Sequence, residues 1–382
     1  MPLSSSGLGY LVLIQEIAGS TPASGTIPGS IMAVRQVLAL VILVRPQARE
    51  PKLGSNILTM SRQENPQIDY AAVIKKYPWL VEENHNCVIS PDADGLISGL
   101  FMSHLFNWKI VGYYDNSKHL ILENDRRASD CIFLDAEIFR KEIRSIGHHI
   151  VRYRQKDFPG NWSGFDNCFN PNNFRNRTFK EQFSSKYPMG TIHLLITIAS
   201  KKKEIKFANE ALFAVLQADG SINRFLDRYS ENMADWLKYL GVVDTPNSFN
   251  KLLHHEIDLL NFCLKYVSYV QNFVKTKKDK IPISDSNQKI INESFNKNQS
   301  SFSPLCKKQI INYLAFLSEK TGWRFDQSDW QFDNFKIYRF TKKSSKPGVR
   351  NYEQVIKDNA LSLAFTSTFV LEYTIESPDR LP

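Results

Sequence analysis

The chain has 382 residues, of which 42% are hydrophobic and 23% charged, which is typical of a globular protein. This composition excludes collagen-like, coiled-coil and wholly disordered chains, and the length is sufficient for two or three domains. The 48 Lys and Arg residues contribute to a net charge of +9, which favours anionic partners. The five cysteines are scattered without a CxxC pair, which argues against a disulfide framework or zinc finger and favours a reducing, cytoplasmic compartment.

Residues 1–59 differ from the rest of the chain, being rich in Gly, Ser, Pro and Ala with two apolar runs. The longer run, 31–44, is too short and too polar for a transmembrane helix, and no membrane association is expected. The peptide Gly19–Pro22 is compatible with translation of the T-arm of a tRNA gene. Two interpretations remain open: a genuine N-terminal extension, or a start codon assigned upstream of a working start at Met60. The second would place the gene beside a tRNA, as in a mobile element.

The most informative segment is Asn86–Gly99, in which a short apolar strand runs into Asp92 and Asp94 and then into a helix, Leu96–Phe106. A strand end followed by a helix start is where α/β sheets place their ligands. Two carboxylates there can hold a hard divalent cation, because such cations favour oxygen ligands. The simpler alternative is an acidic turn that caps a helix.

Further strand ends carry polar side chains. Lys109–Tyr114 is predicted as a second strand and Asp130–Asp135 as a third, which ends in Asp135. A basic helix is predicted over Ile138–Ser145, followed by Gly147, His148 and His149. Because parallel strands end at the same edge of a sheet, these side chains are expected to meet there.

Here the chain resembles the DHH phosphoesterase family. Pro91–Asp94 with Ser98 is similar to the family's first motif, Asp135 to the second and Gly147–His149 to the third; Leu216–Ser221, with Asp219, is similar to the closing motif. Phe169–Asn172 and Lys186–Thr191 resemble an Asn-Pro turn and a Gly-rich helix start of the RecJ-like branch. The resemblance covers roughly residues 84–230.

The sequence departs from the family at three positions. Gly147 stands where the family has Asp, so that the motif reads GHH. Ser90 stands where RecJ-like members carry a further Asp, and Val88 where the oligonucleotide-phosphatase branch has His. Loss of the supporting Asp at 147 can weaken metal affinity or histidine orientation. A catalytically inactive relative that binds nucleic acid or a protein therefore remains an alternative.

The resemblance implies a metal site and a set of catalytic and substrate-binding residues. One or two Mn²⁺ or Mg²⁺ ions are expected, with Mn²⁺ favoured because a neutral imidazole is among the ligands. The implied metal ligands are Asp92, Asp94, Asp135, His148 and Asp219. The implied catalytic residues are His148, His149 and Asp135. The predicted substrate-binding residues are Ser98 and His149 from the resemblance, Arg152 and Arg154 because they follow the histidines, and Lys342 and Lys343 because they lie in the basic C-terminal run.

The predicted architecture is α/β. A parallel-sheet DHH-type domain (60–240) is followed by a helical connector and polar linker (241–303) and a small α+β C-terminal region (304–382). In the latter, Pro304–Thr321 has helical periodicity, and aromatic residues between Trp323 and Phe340 alternate with polar ones before a run of lysines and arginines. The alternation is compatible with stacking of single-stranded bases or with an ordinary half-buried strand.

These observations favour a metal-dependent phosphodiesterase, specifically a nuclease that hydrolyses single-stranded DNA or RNA by a two-metal mechanism. A hydrolase of short oligonucleotides or cyclic dinucleotides is the nearest alternative. The other is a catalytically inactive nucleic-acid-binding or scaffold protein. Single-stranded nucleic acid or a short oligonucleotide is the expected partner, with a protein partner or a second copy of the chain as a further possibility.

Overall fold

The computed structural model describes residues 67–157, 163–226, 230–242, 247–253, 283–284 and 289–382. In these residues ten strands form two sheets. The strands are β1 (Asn86–Ile89), β2 (Lys109–Tyr114), β3 (His119–Glu123), β4 (Cys131–Leu134), β5 (Arg144–Ile146), β6 (Cys168–Phe169), β7 (Phe335–Arg339), β8 (Thr341–Ser345), β9 (Ser362–Ser367) and β10 (Val370–Ile375).

Eleven α-helices occur in the same described ranges. They are α1 (Tyr70–Lys76), α2 (Ala93–Phe106), α3 (Pro171–Phe174), α4 (Phe179–Gln182), α5 (Thr191–Ala199), α6 (Ala211–Gln217), α7 (Ser221–Leu226), α8 (Ser230–Tyr239), α9 (Ser248–Leu253), α10 (Pro304–Thr321) and α11 (Val349–Lys357).

The main sheet has seven strands in the order β6-β5-β4-β1-β2-β3-β7. The five strands from β6 to β2 are parallel, and β3 and β7 add to one edge in antiparallel pairing. The predicted α/β class is therefore confirmed. Because β1, β4 and β5 are adjacent and parallel, their carboxyl ends lie side by side, and the loops that follow them meet at one edge.

The central strands are apolar because both faces of the sheet are covered. Alternate residues belong to different clusters: Ile89 and Ile132 pack in the larger cluster beneath α2 and α5, whereas Val88 and Phe133 pack in a second cluster on the other face. This period of two is the ordinary geometry of a strand, and continuous burial is typical of a parallel sheet. All four residues of β4 are buried.

The predicted helix over Ile138–Ser145 is wrong. The segment is irregular until β5, which begins at Arg144, and the backbone N–H of Ile138 donates to Ser145 Oγ. Successive apolar residues bury in different places, since Ile138 lies in the second cluster and Phe139 in a third, beside the small sheet. Tertiary packing therefore overrides the helical periodicity. The sequence analysis also missed β3.

The predicted helix Pro304–Thr321 is confirmed as α10, which begins after the capping hydroxyl of Ser303 and ends at Gly322 in the left-handed conformation. The aromatic segment that follows is mostly core: Trp323, Trp330, Phe332, Phe335 and Phe340 are all buried. Because buried rings cannot stack on bases, these residues do not form the single-strand platform. The expected strand is present only as β7, and the rest of the segment is irregular.

The chain changes sheets at Phe340. Strand β7 pairs with β3 in the main sheet, and β8, which begins at the next residue, pairs with β10 in the small antiparallel sheet β8-β10-β9. The first half of the predicted C-terminal region thus shares the core of the main sheet, and the second half forms a separate layer. This layer lies beside the strand ends that carry the site.

Several predicted features lie outside the described residues. These are the N-terminal extension 1–59 and most of the connector and linker 241–303, of which 241–242, 247–253, 283–284 and 289–303 are described. Among the helices of the described ranges, none combines the length and hydrophobicity needed to cross a bilayer. Four of the five cysteines are described, and all four are buried free thiols.

Candidate metal centre

The loop after β1 supplies the first two carboxylates. Asp92 is the N-cap of α2, and its Oδ1 accepts a hydrogen bond from Gly95 N at 2.8 Å. Asp94 follows in the first turn of α2, and both carboxylates are almost completely buried. The capping interpretation of Asp92 is therefore correct, yet capping leaves room for a second role because the second oxygen is not used by the helix.

The N-terminus of α5 holds Asp94. Its Oδ2 accepts from Thr191 N at 2.6 Å and its Oδ1 from Ile192 N at 3.0 Å. This contact requires a glycine before the helix, because a Cβ at Gly190 would lie 2.8 Å from Asp94 Cγ. The Gly-rich helix start recognised in the sequence is thus a fixed cradle for one carboxylate, with the positive end of the helix dipole directed at it.

Asp135 follows β4 directly and is tied to both neighbouring loops. Ser90 Oγ lies 2.8 Å from Asp135 Oδ2 and 2.7 Å from Asp92 Oδ1, and the Thr191 hydroxyl donates to Asp135 Oδ1 at 2.9 Å. Asp135 has a φ of 60°, a left-handed conformation that Asp and Asn tolerate better than other side chains. Ser90 therefore bridges two carboxylates.

His148 completes the group from the loop after β5. Its Nε2 lies 3.2 Å from Asp135 Oδ1 and 3.9 Å from Asp94 Oδ2. Asn172 Nδ2 donates to His148 O at 2.6 Å and fixes the loop. The ligand atoms of Asp94, Asp135 and His148 all lie within 4.8 Å of one another, and the three side chains are buried. This Asp-Asp-His group could hold a metal ion.

Burial and mutual repulsion make the carboxylates reluctant to ionise together. Burial raises the pKa of Asp94 and Asp135 well above the ordinary value, and the charges of neighbouring carboxylates raise it further. Burial also raises the pKa of Asp92. Ser90 Oγ lies within hydrogen-bonding distance of both Asp92 and Asp135 but has only one proton to donate. A proton kept on one of these two carboxylates can be donated to Ser90 Oγ and so satisfies the second contact. A divalent cation would relieve this repulsion, which is a property expected of a metal centre.

His149 faces the same cavity but is held by a different carboxylate. Its ring stacks on that of His148 at a centroid distance of 4.7 Å. Its Nδ1 lies 3.0 Å from Glu137 Oε2, and its backbone N–H donates to Glu137 Oε1 at 2.7 Å. Burial lowers the pKa of His149, but the charge and hydrogen bonding of Glu137 outweigh burial, so the net shift is upwards.

A cavity of about 120 Å³ lies between the strand ends and the small sheet. It brings Asp219, from the turn after α6, to the same space as Asp135 and the two histidines, and β8 contributes Lys342. Asp219 also has a positive φ, of 50°. The lining residues are Asp115, Asn116, Asp135, Glu137, His148, His149, Asp219, Lys342, Ser362, Leu363, Ala364, Thr366, Glu372 and Tyr373.

The chain matches no model of a known protein family, no curated protein and no solved structure.

The other predicted substrate-binding residues have different positions. Ser98 is buried behind the site and donates to Asp94 Oδ1 at 3.4 Å. Arg152 bonds to backbone and side-chain oxygens of the Asn173–Asn176 turn and lines a separate cavity. Arg154 forms an ion pair with Asp157. Lys343 pairs with Asp358, on the opposite side of β8 from Lys342.

The sequence analysis missed Glu137 and Thr191 as site residues. Asp135-Ala136-Glu137 repeats the spacing of Asp92-Ala93-Asp94 after a strand, and this spacing could have identified Glu137. The predicted helix over Ile138–Ser145 hid the signal, because it placed Glu137 beside a helix start, where acids are common as caps. Thr191 is the last residue of the Gly-rich helix start Lys186–Thr191, but nothing in the sequence indicates that its hydroxyl reaches Asp135.

Proposed function

We propose that this protein is a metal-dependent phosphodiesterase that hydrolyses single-stranded nucleic acid, related to the DHH phosphoesterases and their RecJ-like branch. The observation that carries the proposal is the convergence of Asp94, Asp135 and His148 at the carboxyl ends of adjacent parallel strands. Two further carboxylates, Asp92 and Asp219, adjoin this group. The order of the four sequence motifs supports the relationship, although the GHH motif departs from the family.

Asp94, Asp135 and His148 would hold a Mn²⁺ ion, and Asp92 and Asp219 would help to hold a second. Metal in such a site supplies hydroxide at neutral pH and neutralises charge on the phosphodiester. Around it, the N-terminus of α5 fixes Asp94, and Ser90 and Thr191 fix Asp135. Lys342, at the opposite wall of the cavity, is available to bind a phosphate oxygen once it leaves its ion pair with Glu372.

A second candidate is a hydrolase of short oligonucleotides or cyclic dinucleotides. It is favoured by the small sheet, which forms one wall of the cavity. It is also favoured by the burial of the aromatic residues Trp323–Phe340 that could otherwise have stacked on a longer strand.

The deciding experiment incubates the full chain with end-labelled single strands of DNA and RNA, and with di- and trinucleotides, in Mn²⁺, Mg²⁺ or EDTA. Cleavage that requires metal supports the proposal, and the preferred length distinguishes the nuclease from the short-substrate hydrolase. Absence of cleavage in every metal, together with absence of Mn²⁺ binding by calorimetry, would contradict it and favour a binding protein.

Substitution of Lys342 tests the wall of the cavity opposite the metal ligands. We expect Lys342→Ala to raise KM for a phosphodiester about tenfold, because one charge-assisted hydrogen bond is worth about 1.5 kcal/mol. Lys343→Ala is the matched control, because the adjacent lysine pairs with Asp358 outside the cavity. The two KM values would be measured side by side at saturating Mn²⁺. Equal effects of the two substitutions would show that Lys342 acts only through the general charge of β8.

A further inference from the structure

We propose that Glu137 is a positioning residue that replaces the missing acid of the GHH motif and orients His149. The inference rests on the proposed function, since it assigns His149 a role in that reaction. It explains the glycine at position 147, where the resembled family has Asp, a difference that would otherwise indicate a catalytically inactive site. Three independent observations carry it: the space beside Gly147, the hydrogen bonds of Glu137, and the strand ends that these residues follow.

The space beside Gly147 is filled by the Glu137 carboxylate. A Cβ at position 147 would lie 2.5 Å from Glu137 Cδ and 2.6 and 2.8 Å from its two oxygens. Real Cβ atoms essentially never approach so closely, so a side chain at 147 would have to displace the Glu137 carboxylate from its hydrogen bonds. The backbone of Gly147 is not in the left-handed region, where glycine would be needed for conformational reasons. The Glu137 carboxylate, which occupies the space of a side chain at 147, therefore accounts for the glycine at this position.

The hydrogen bonds of Glu137 are those of an orienting group. Oε1 accepts from His149 N at 2.7 Å and from Asn170 Nδ2 at 2.8 Å, and Oε2 lies 3.0 Å from His149 Nδ1. The side chain of Glu137 is only 4% exposed. An Nδ1–H donated to this carboxylate leaves His149 Nε2 as the nitrogen available to a substrate.

An acid at position 147 could make the same contact from within its own loop. An Asp side chain commonly accepts a hydrogen bond from the backbone N–H two residues later, and for position 147 that donor is His149 N. In this chain Glu137 Oε1 occupies that position on the donor. The acid that satisfies this donor therefore comes from the loop after β4, whereas an Asp at 147 would satisfy it from the loop after β5.

Asn170 extends the arrangement across three neighbouring strands. Its Nδ2 donates to Glu137 Oε1 and to His149 O, both at 2.8 Å. Its Oδ1 accepts from Asn172 N and Asn173 N and so caps α3. Glu137, His149 and Asn170 follow β4, β5 and β6 respectively, so a single carboxylate joins three adjacent strand ends.

The test moves the carboxylate from position 137 to position 147. It compares Glu137→Ala, Gly147→Asp and the variant with both substitutions, with Glu142→Ala at an exposed position as the control. We expect Glu137→Ala to lower kcat by about 10–100-fold at saturating Mn²⁺ with a smaller change in KM, as is usual for groups that orient active-site histidines. Gly147→Asp alone should lower the melting temperature, because its Cβ would displace the Glu137 carboxylate from its hydrogen bonds and place a second acid beside it. The double variant should recover both the melting temperature and most of kcat.

A readout without metal or substrate separates this inference from the proposed function. The ¹⁵N NMR signals of the His149 ring, assigned with His149→Asn, should report a proton on Nδ1 in the wild type and the double variant. In Glu137→Ala that preference should be lost. Ring signals that are the same in all variants would overturn the inference. A folded double variant with kcat no higher than Glu137→Ala would also overturn it. If neither the wild type nor any variant cleaves a substrate, the ring signals alone decide whether Glu137 orients His149.

Discussion

Asp135→Asn is expected to abolish metal-dependent cleavage, with a loss of about 10³-fold or more. A metal ion at such a site contributes several kcal/mol to the transition state, and each 1.36 kcal/mol corresponds to a factor of ten. Asp135 contacts Ser90, Thr191 and His148, which come from three different loops or helix ends. Initial rates in Mn²⁺ on the preferred substrate would measure the loss.

The substitution is designed to leave the fold intact. Asn has the shape of Asp and tolerates the left-handed backbone at this position, where φ is 60°. Removal of a buried acid also relieves repulsion, so the melting temperature without metal should be unchanged or higher. Asp130→Asn is the matched control, since Asp130 is exposed at the opposite end of β4. Full activity in Asp135→Asn would remove the basis of the proposed site.

Addition of Mn²⁺ is expected to raise the melting temperature by about 3–5 °C at a concentration of 100 times Kd. Such a concentration adds about 2.7 kcal/mol to the free energy of unfolding, and each kcal/mol shifts a chain of this size by about 1–2 °C. EDTA should reverse the shift, and Asp135→Asn should not show it. Thermal melts with and without metal would measure the effect.

The size of this shift should depend on pH. The pKa values of Asp92, Asp94 and Asp135 are raised in the folded protein, so without metal these acids bind more protons when folded than when unfolded. Their contribution to stability is present at low pH and is lost as the pH rises through the raised values. Metal binds the ionised form and releases the protons. The Mn²⁺-induced shift should therefore be larger at pH 8 than at pH 6, and equal shifts would contradict a site built from these carboxylates.

The sequence was sufficient to predict the side chains that directly follow parallel strands. Asp92, Asp94, Asp135 and His148 meet because β1, β4 and β5 are adjacent, and that adjacency follows from the ordinary geometry of an α/β sheet. The helix α10 was likewise predictable, because its cap, its apolar periodicity and its terminal glycine all agree.

Contacts between segments distant in sequence could not be predicted in this way. The hydroxyl of Thr191 reaches Asp135 only because α5 packs against the end of α2. Arg152 was predicted beside the substrate from its closeness to the histidines in sequence, but the chain turns after Val151 and places it in another cavity. Lys342 and Lys343 could have been assigned to opposite faces of a strand, because successive side chains of a strand point to opposite sides. Only one of the two would then have been expected at the site.

The pairing of β7 with β3 has a consequence for how the protein is made. His119 pairs with Arg339, so the main sheet joins a strand to another that is synthesised about 220 residues later. All the proposed metal ligands, from Asp92 to Asp219, leave the ribosome before the strand that closes their sheet. A nascent chain therefore carries this acidic cluster before its sheet edge is covered. Pairings so distant in sequence form slowly and leave an open edge exposed to aggregation in the meantime.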